Sequence, residues 1–473
     1  MIQKGIPQMQ VFHTRAAVSS AFDDPNLVSS AGLVPVMALA ADTGLSDLVD
    51  GHLKLPEYYG ANAGLKVSAL VAGMAAGADC IDDMGILRHG GTGKLFQGTY
   101  APSTLGSFLR RFTFGHVRQL EAAAARWLSG LAAATPLAEG IDDLALVDID
   151  DTIKEVYGYK KQGSGYGYSG VRGINALIGT VTTRQAAPVI AAARLRKGAA
   201  NSARGAGKFT ADLLATVARL RSARATGMVL LRSDSAFYAH AVAAAAARAG
   251  AEISLTVRMD PAVKRAIAKI PETAWEKIEY TNALFDEDSG KWISDAEAAE
   301  IGFTAFTSKK KAKQVTGRLV VRRIPELNAK AATGQETLFE AHRFHAFFTT
   351  VDATVLDTVT ADKTHRAHAV IEQVHADLKN SALASMPSGK FNANAAWLLA
   401  ATMAFNLTRA AGTLAAGRFS KAETATIRDK LINVPARVAS PARRITLHLP
   451  EAWPWETPWQ RLFDHVYPPP LTA

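Results

Sequence analysis

Leu144-Ala-Leu-Val-Asp-Ile-Asp-Asp-Thr152 decides how this chain is read. Its first half is apolar enough for a buried strand, and its second half sets three carboxylates where that strand should end. Aspartate is depleted in strands and rarely buried without a partner. Side chains at i and i+2 of a strand share a face, so Asp148 and Asp150 point one way and Asp151 the other. Asp150 lies nearest the strand's end on that face, where sites of α/β sheets open, and is the preferred candidate ligand. Asp148 is a second ligand or the residue behind one. Asp151 reads as a solvated turn residue. Both neighbours stay open as alternatives for the first ligand.

Two more carboxylates sit in settings of the same kind. Asp234 follows the apolar run in Met228-Val-Leu-Leu-Arg-Ser-Asp-Ser-Ala-Phe237. It can cap the next helix, serve as a ligand, or do both. Glu372 lies in the helix-like stretch His365-Arg-Ala-His-Ala-Val-Ile-Glu-Gln-Val-His-Ala-Asp-Leu-Lys379. On one helix His365, His368, Glu372, His375 and Lys379 share a face, with Val370, Ile371 and Val374 on an apolar side. That face suits a polar cleft; a solvated amphipathic helix is the plainer reading. Three convergent carboxylates would hold divalent metal ions, which explains all three placements.

The chain has 473 residues, enough for two to four domains and a large core. Hydrophobic residues make up 48% and charged residues 20%, which excludes a disordered protein. The formal charge of +10 favours a polyanionic partner such as nucleic acid. Cys80 is the only cysteine, so neither an internal disulfide nor a cysteine-based zinc site can form. The start, Met1-Ile-Gln-Lys-Gly-Ile-Pro7, lacks the apolar core of a signal peptide. No apolar run reaches the ~20 residues that span a bilayer, so a cytoplasmic, nucleoid-associated protein without a membrane partner is expected.

The pattern changes along the chain. Residues 1–135 read as helical, with one helix after Pro102 capped by Ser103, a break at Gly115 and a second helix from about His116. This pair suits either a helix-turn-helix-like DNA reader or a helical bundle. Residues 136–259 read as strands at 144–149, 174–182, 188–195, 228–232 and 253–258, with helices at 207–225 and 236–247, which predicts a mixed α/β sheet. A glycine- and tyrosine-rich segment, residues 158–170, reads as a hairpin turn between the first two strands. Residues 260–350 read as a mainly β insertion, residues 351–430 as the return of the core with a helix over 364–380, and residues 431–473 as a C-terminal tail.

Together these segments resemble the DDE transposases of bacterial insertion sequences. Their first strand ends in an acidic-x-Asp-x-Thr pattern, here Asp148-Ile-Asp-Asp-Thr152. Their second motif is an apolar strand followed by Arg-x-Asp-Ser-x-Phe, here Arg232-Ser-Asp-Ser-Ala-Phe237. Their third is a helix with Glu and, seven residues on, Lys, here Glu372 and Lys379. Residues 101–110, 163–173 and 389–397 also resemble one subgroup. Many relatives carry tyrosine and arginine seven and four residues before the glutamate; His365 and His368 stand there in this chain.

The resemblance implies an RNase H-like mixed sheet with flanking helices, interrupted by a mainly β insertion and preceded by a helical DNA-binding region. It implies Asp150, Asp234 and Glu372 as catalytic ligands of two Mg²⁺ ions (Mn²⁺ as a substitute), with Asp148 as a further ligand. Two such ions, about 3.5–4 Å apart, activate the attacking water or 3′-OH and stabilise the leaving oxygen. Oxygen donors suit Mg²⁺ better than histidine or thiolate. The implied partners are double-stranded DNA, both element ends and target, and a second copy of the chain when DNA is bound. Expected DNA contacts are Lys379, His365 and His368, the basic residues Arg110, Arg111, Lys160, Lys161, Lys309, Lys310 and Lys311, and Trp292 as a stacking platform. The pairs Arg322-Arg323 and Arg443-Arg444 join the basic set. A nuclease that does not join strands and a non-cleaving DNA-binding regulator are the alternative functions.

Overall fold

The computed structural model describes residues 14, 17–157, 160–167, 170–286, 291–325, 342–441 and 444–469, and only the backbone at 57, 59, 279–286, 291–295 and 325. The helices that position the site are α1 (Ala63–Ala76), α2 (Pro102–Leu109), α3 (Phe114–Ala134), α4 (Ala206–Leu220), α5 (His240–Arg248), α6 (Thr358–Arg366), α7 (Val370–Lys379) and α8 (Phe391–Ala415). The strands are β1 (Leu144–Glu155), β2 (Arg172–Thr182), β3 (Val189–Lys197), β4 (Met228–Ser233), β5 (Glu252–Thr256), β6 (Glu276–Asp286), β7 (Lys291–Ala305), β8 (Val315–Pro325) and β9 (His342–Thr349).

These strands form one mixed sheet in the order β2-β1-β4-β5-β9-β8-β7-β6, with β3 and the short strand Gly165–Tyr166 both paired to β2. β1 is antiparallel to β2 and parallel to β4, and β4 is parallel to β5. A parallel pair needs both faces covered, and the runs Ala145–Ile149 and Leu230–Ser233 are accordingly near-continuously buried. The β-rich region does not stand apart from this sheet. β9 pairs antiparallel with β5, so β6–β9 extend the same sheet outward.

β1 is longer than the apolar run suggests. It continues through Asp148, Asp150 and Asp151 to Glu155, because β2 supplies a partner for every residue from Leu146 to Glu155. Its parallel partner stops earlier, at the pair Ile149–Ser233. From Asp150 onward one edge of β1 is therefore free of a strand.

α8 is buried on all faces, from Ala393 to Gly412, and forms a central post between sheet and N-terminal helices. Its Asn406 amide bonds both backbone groups of Ile190, at 2.8 and 2.9 Å, on the β3 edge where the pairing with β2 slips by one residue. The N-terminal pair of helices differs from expectation. α2 starts at Pro102 with Ala101, not Ser103, at its cap. α3 starts at Phe114, capped by Thr113, so Gly115 lies inside its first turn rather than breaking the chain. α3 runs for 21 residues and packs its Leu120, Trp127, Leu128 and Leu131 face against α8 and the β3 edge, as a bundle member does. The tail contains a helix, Glu456–Val466, whose Trp459 is buried. Among the described residues no helix is long and apolar enough to cross a membrane.

Candidate active site

Asp150 and Asp234 each lie one residue past the last rung shared by β1 and β4. β4 ends there because Asp234 takes an extended backbone and its Oδ1 accepts from Ala236 N at 3.1 Å, capping the short helical turn Ser235–Phe237. Asp234 is thus a cap that also lines the cleft. Beyond this point the free edge of β1 floors an open cleft of about 1260 Å³. Asp150, Asp151, Asp234, Lys154, Arg258 and Lys379 are among its lining residues.

The carboxylates repel one another. Burial pushes the Asp150 carboxyl up to about 7, and the charges of Asp234, Asp151 and Glu372 add to the effect. Burial also raises Asp234, again with Asp151 adding to it, while His368 pulls it back. Glu372 is exposed, in the first turn of α7. These acids gather at one place without closing up. Among the described residues the one trio of potential ligands with all donor atoms within 4.8 Å is Asp79, Cys80 and Asp83. That trio is a local turn, with Asp79 N donating to Asp83, and burial holds its thiol protonated.

Asp148 stands apart from the others although it shares a face with Asp150. It is 1% exposed, and Arg232 on β4 takes both of its oxygens, at 2.7 and 2.8 Å. The expectation of Asp148 as a metal ligand is corrected on this ground: its lone pairs already face a buried guanidinium. Arg232 also donates to Thr364 O on α6 at 2.6 Å, so one side chain ties β1, β4 and the glutamate-bearing segment together. Asp151 needs correction too. It is no solvated turn residue but a strand residue paired with Arg196 of β3. Arg196 in turn donates to Asn175 Oδ1 and to Ser202 O, both at 2.8 Å, and pins the loop that forms one wall of the cleft.

The histidines part ways. The expected helix over 364–380 begins earlier, at Thr358, where Asp357 caps it by accepting from Thr360 N at 2.8 Å. It then tightens into a 3₁₀ turn at Ala367–Ala369. Three residues at 3.0 rather than 3.6 per turn rotate α7 by about 60° relative to α6. His365 is nonetheless separated from Glu372 by burial, since Glu372 is exposed. His365 is 6% exposed, stacks on Phe347 at 4.1 Å, and both ring nitrogens meet hydroxyls, Ser254 at 2.8 Å and Thr256 at 2.9 Å. Burial drives its pKa well down. Its expected phosphate contact is therefore withdrawn: a neutral, fully bonded core imidazole has nothing to offer a phosphate. His368 bonds His365 O at 2.7 Å and stands near enough to Asp148 and Asp234 for its charge to act on both.

His375 had no assigned role, yet its Nδ1 lies 3.6 Å from Asp150 Oδ2, and its Nε2 is buried without a partner. Burial and the Lys379 charge lower its pKa to about 4. With the carboxyl near 7, the two are both neutral around pH 5.5, so the contact is no ion pair there. Lys379 lines the cleft; burial and the charge of Lys154 lower its pKa, while Asp150 raises it. Lys154 was missed by motif reading. It is four residues beyond Asp150 on the same strand face, and only the full length of β1 makes that spacing meaningful.

The outlying cations divide as well. Lys390 Nζ bonds Arg110 O at 3.3 Å, and its neighbour Gly389 accepts from Gln162 N at 2.9 Å, so Arg110, Arg111 and Lys160 form one exposed basic patch. Lys161 is instead tied to Met386 O, and Arg323 to Glu297 and Glu272 while stacking on Trp275, which corrects their reading as phosphate contacts. Lys309, Lys310 and Lys311 are exposed on the β7–β8 turn. That turn is anchored by Phe306, stacked at 5.0 Å on Tyr238, four residues after Asp234. Trp292 is on β7, with its side chain outside the described residues, as Arg443 is altogether.

No curated protein matches the chain. The sequence profile of the family described as Transposase DDE domain group 1, however, matches residues 11–468. Acidic residues just past the last rung shared by two parallel strands and on a later helix, on a mixed α/β sheet, agree with a match of that extent: the chain belongs to the DDE transposase family.

Proposed function

We propose that this chain binds the ends of a mobile DNA element of the bacterial insertion-sequence kind, cleaves there, and joins the freed 3′-OH to target DNA. The observation that carries the proposal is the pair Asp150 and Asp234, side by side past the last rung of β1 and β4, with Glu372 near enough to repel Asp150. The order β2-β1-β4-β5, antiparallel then parallel, supports an RNase H-like core. On this reading residues 1–135 serve end binding, residues 136–259 and 351–430 form the core, and residues 260–350 are an insertion on the edge of its sheet.

The donor set fits Mg²⁺, or Mn²⁺ in its place: a half-buried carboxyl, Asp150, raised to about 7, with the charges of Asp234 and Glu372 acting on it. Asp150, Asp234 and Glu372 would hold two ions, which supply an activated oxygen nucleophile and a stabilised leaving oxygen. The chain's own groups do the rest. Asp150 would hold an ion as its carboxylate, with its proton lost to solvent. Arg232 keeps the two strands and the α6 segment in fixed relation through Asp148 and Thr364 O. Lys379 and Lys154 place positive charge at the cleft for a DNA phosphate. The basic patch around Arg110 and the Lys309–Lys311 turn neutralise phosphates farther along, and paired ends would bring two chains together.

Asp234→Asn tests the reading. Labelled end DNA is incubated with Mg²⁺ and the variant. Cleavage and strand transfer should both vanish, and cleavage at the wild-type rate sinks the proposal. Wild-type protein that cleaves without joining would leave the nuclease reading instead.

A further inference from the structure

We propose that Tyr166 is a stacking platform for an unpaired DNA base, at the end of the cleft opposite the carboxylates. The proposal rests on the reading that this cleft works on DNA. Tyr166 lines the same cleft as Asp150, Asp234 and Lys379, yet it is 67% exposed. A tyrosine ring ordinarily buries most of its area, and this one stands open in a polar cleft. Tyr157, 81% exposed, stands at the same end of the sheet: Val156 N bonds Arg172 O, and Arg172 is the strand partner of Tyr166.

The ring is held on a built support. Gly165–Tyr166 pairs with Arg172–Gly173 and takes over the β2 edge where β3 ends. Gly198 closes that junction: its N donates to Gly163 O at 2.9 Å, and a Cβ on it would stand 2.0 Å from Gly173 O. Gly163, at φ +81°, lies so close under the Phe391 ring that a Cβ would stand 2.4 Å from it. Arg172 Nη2 donates to Ser164 Oγ at 2.8 Å. The hairpin is therefore fixed to both β3 and α8.

The chemistry points to a nucleobase. Between the carboxylates and Tyr166 the cleft carries Lys154, and Arg258 lines it too, so cations for a backbone and an aromatic face for a base succeed one another. Stacking on an aromatic ring accepts any base, because every base has a π face. Tyr166 is paired to Arg172, six residues along β2 from Ile178, the partner of Asp150. Six strand residues span about 20 Å. A stacked DNA strand covers that distance in about six nucleotides. A base within a duplex has no free face, so the occupant is an unpaired nucleotide about that far from the reacting phosphate.

The test uses end duplexes in Ca²⁺, fully paired or carrying a single unpaired nucleotide moved stepwise away from the cleavage position. Binding is read by anisotropy for wild type, Tyr166→Leu and Tyr166→Phe. In parallel, 5-iododeoxyuridine at the unpaired position is photocrosslinked and the attached residue is mapped by mass spectrometry. The expected result is a wild-type preference for the unpaired duplex that Tyr166→Leu lowers by roughly tenfold, that Tyr166→Phe keeps, and that leaves paired-duplex affinity unchanged, with the crosslink on Tyr166. Equal affinity of wild type and Tyr166→Leu for the unpaired duplex, equal weakening on both duplexes, or a crosslink elsewhere overturns the inference and leaves the proposed function standing. Wild-type protein that binds neither duplex overturns the proposed function, and this inference with it.

Discussion

Asp148 and Asp150 are two residues apart, on one face of one strand, and they meet opposite fates. Asp148 lies on a rung that β4 shares, and the residue opposite is Arg232. Its charge is matched and sealed, at 1% exposure. Asp150 lies just past the last shared rung, where burial and the charges of Asp234, Asp151 and Glu372 raise its carboxyl and a neutral-leaning His375 is its neighbour. The difference teaches that where the shared rungs stop, not residue type, separates a sealed carboxylate from one open to the cleft. A buried charge with a guanidinium partner is held in place, whereas a half-buried carboxyl among other acids has its pKa raised.

The comparison can be broken most directly by Asp150→Asn. Metal-dependent cleavage of end DNA should fall by more than ~100-fold, beyond the usual effect of residues behind the ligands. Asp148→Ala should act on stability instead. It strands Arg232 in the core, which costs on the order of 3–5 kcal/mol in urea unfolding. If Asp148→Ala kept full stability and lost cleavage, the two residues would have to exchange roles.

A third measurement sharpens the contrast through pH. Asp150 sits at about 7 in the folded chain against an ordinary 3.8, so the folded state binds the proton more tightly than the unfolded state does. Its contribution to stability is full at acid pH and is lost as pH rises through about 7. Asp150→Asn should therefore gain stability over wild type as pH rises from about 4 to 7, by at most about 4 kcal/mol. His375 is unchanged in that comparison, which matters because its depressed pKa works in the opposite direction. A difference that does not vary with pH would remove the case for crowded carboxylates. The smallest effect belongs to the periphery. Replacing Lys309 by Gln should lower the salt slope of DNA binding by about 1 and leave cleavage of bound DNA unchanged.

The sheet was readable because its buried strands are short apolar runs bounded by turn residues, as Met228–Leu231 and Ile174–Val181 show. Where β1 ends was not readable, since Asp150 to Glu155 are held in the strand by pairing with β2 rather than by their own propensities. Lys154 was lost for the same reason. Helical spacing puts His365 and Glu372 on one face, but a shared face does not settle burial. His365 is in the core because Phe347, Ser254 and Thr256 of the neighbouring strands close on its ring, and those contacts leave no mark in the periodicity of its own helix.

By itself the sequence determined the residue types, their order, and the family pattern: acids after two apolar runs and an acid with a lysine two turns on along a helix. These depend on local periodicity, which one segment can express alone. Only the tertiary structure decided which acid is neutralised by Arg232, which cations remain in the open, and that an exposed tyrosine shares a cleft with the carboxylates. Charge pairing and burial are relations between segments far apart in the chain, and the folded sheet is what sets their distances.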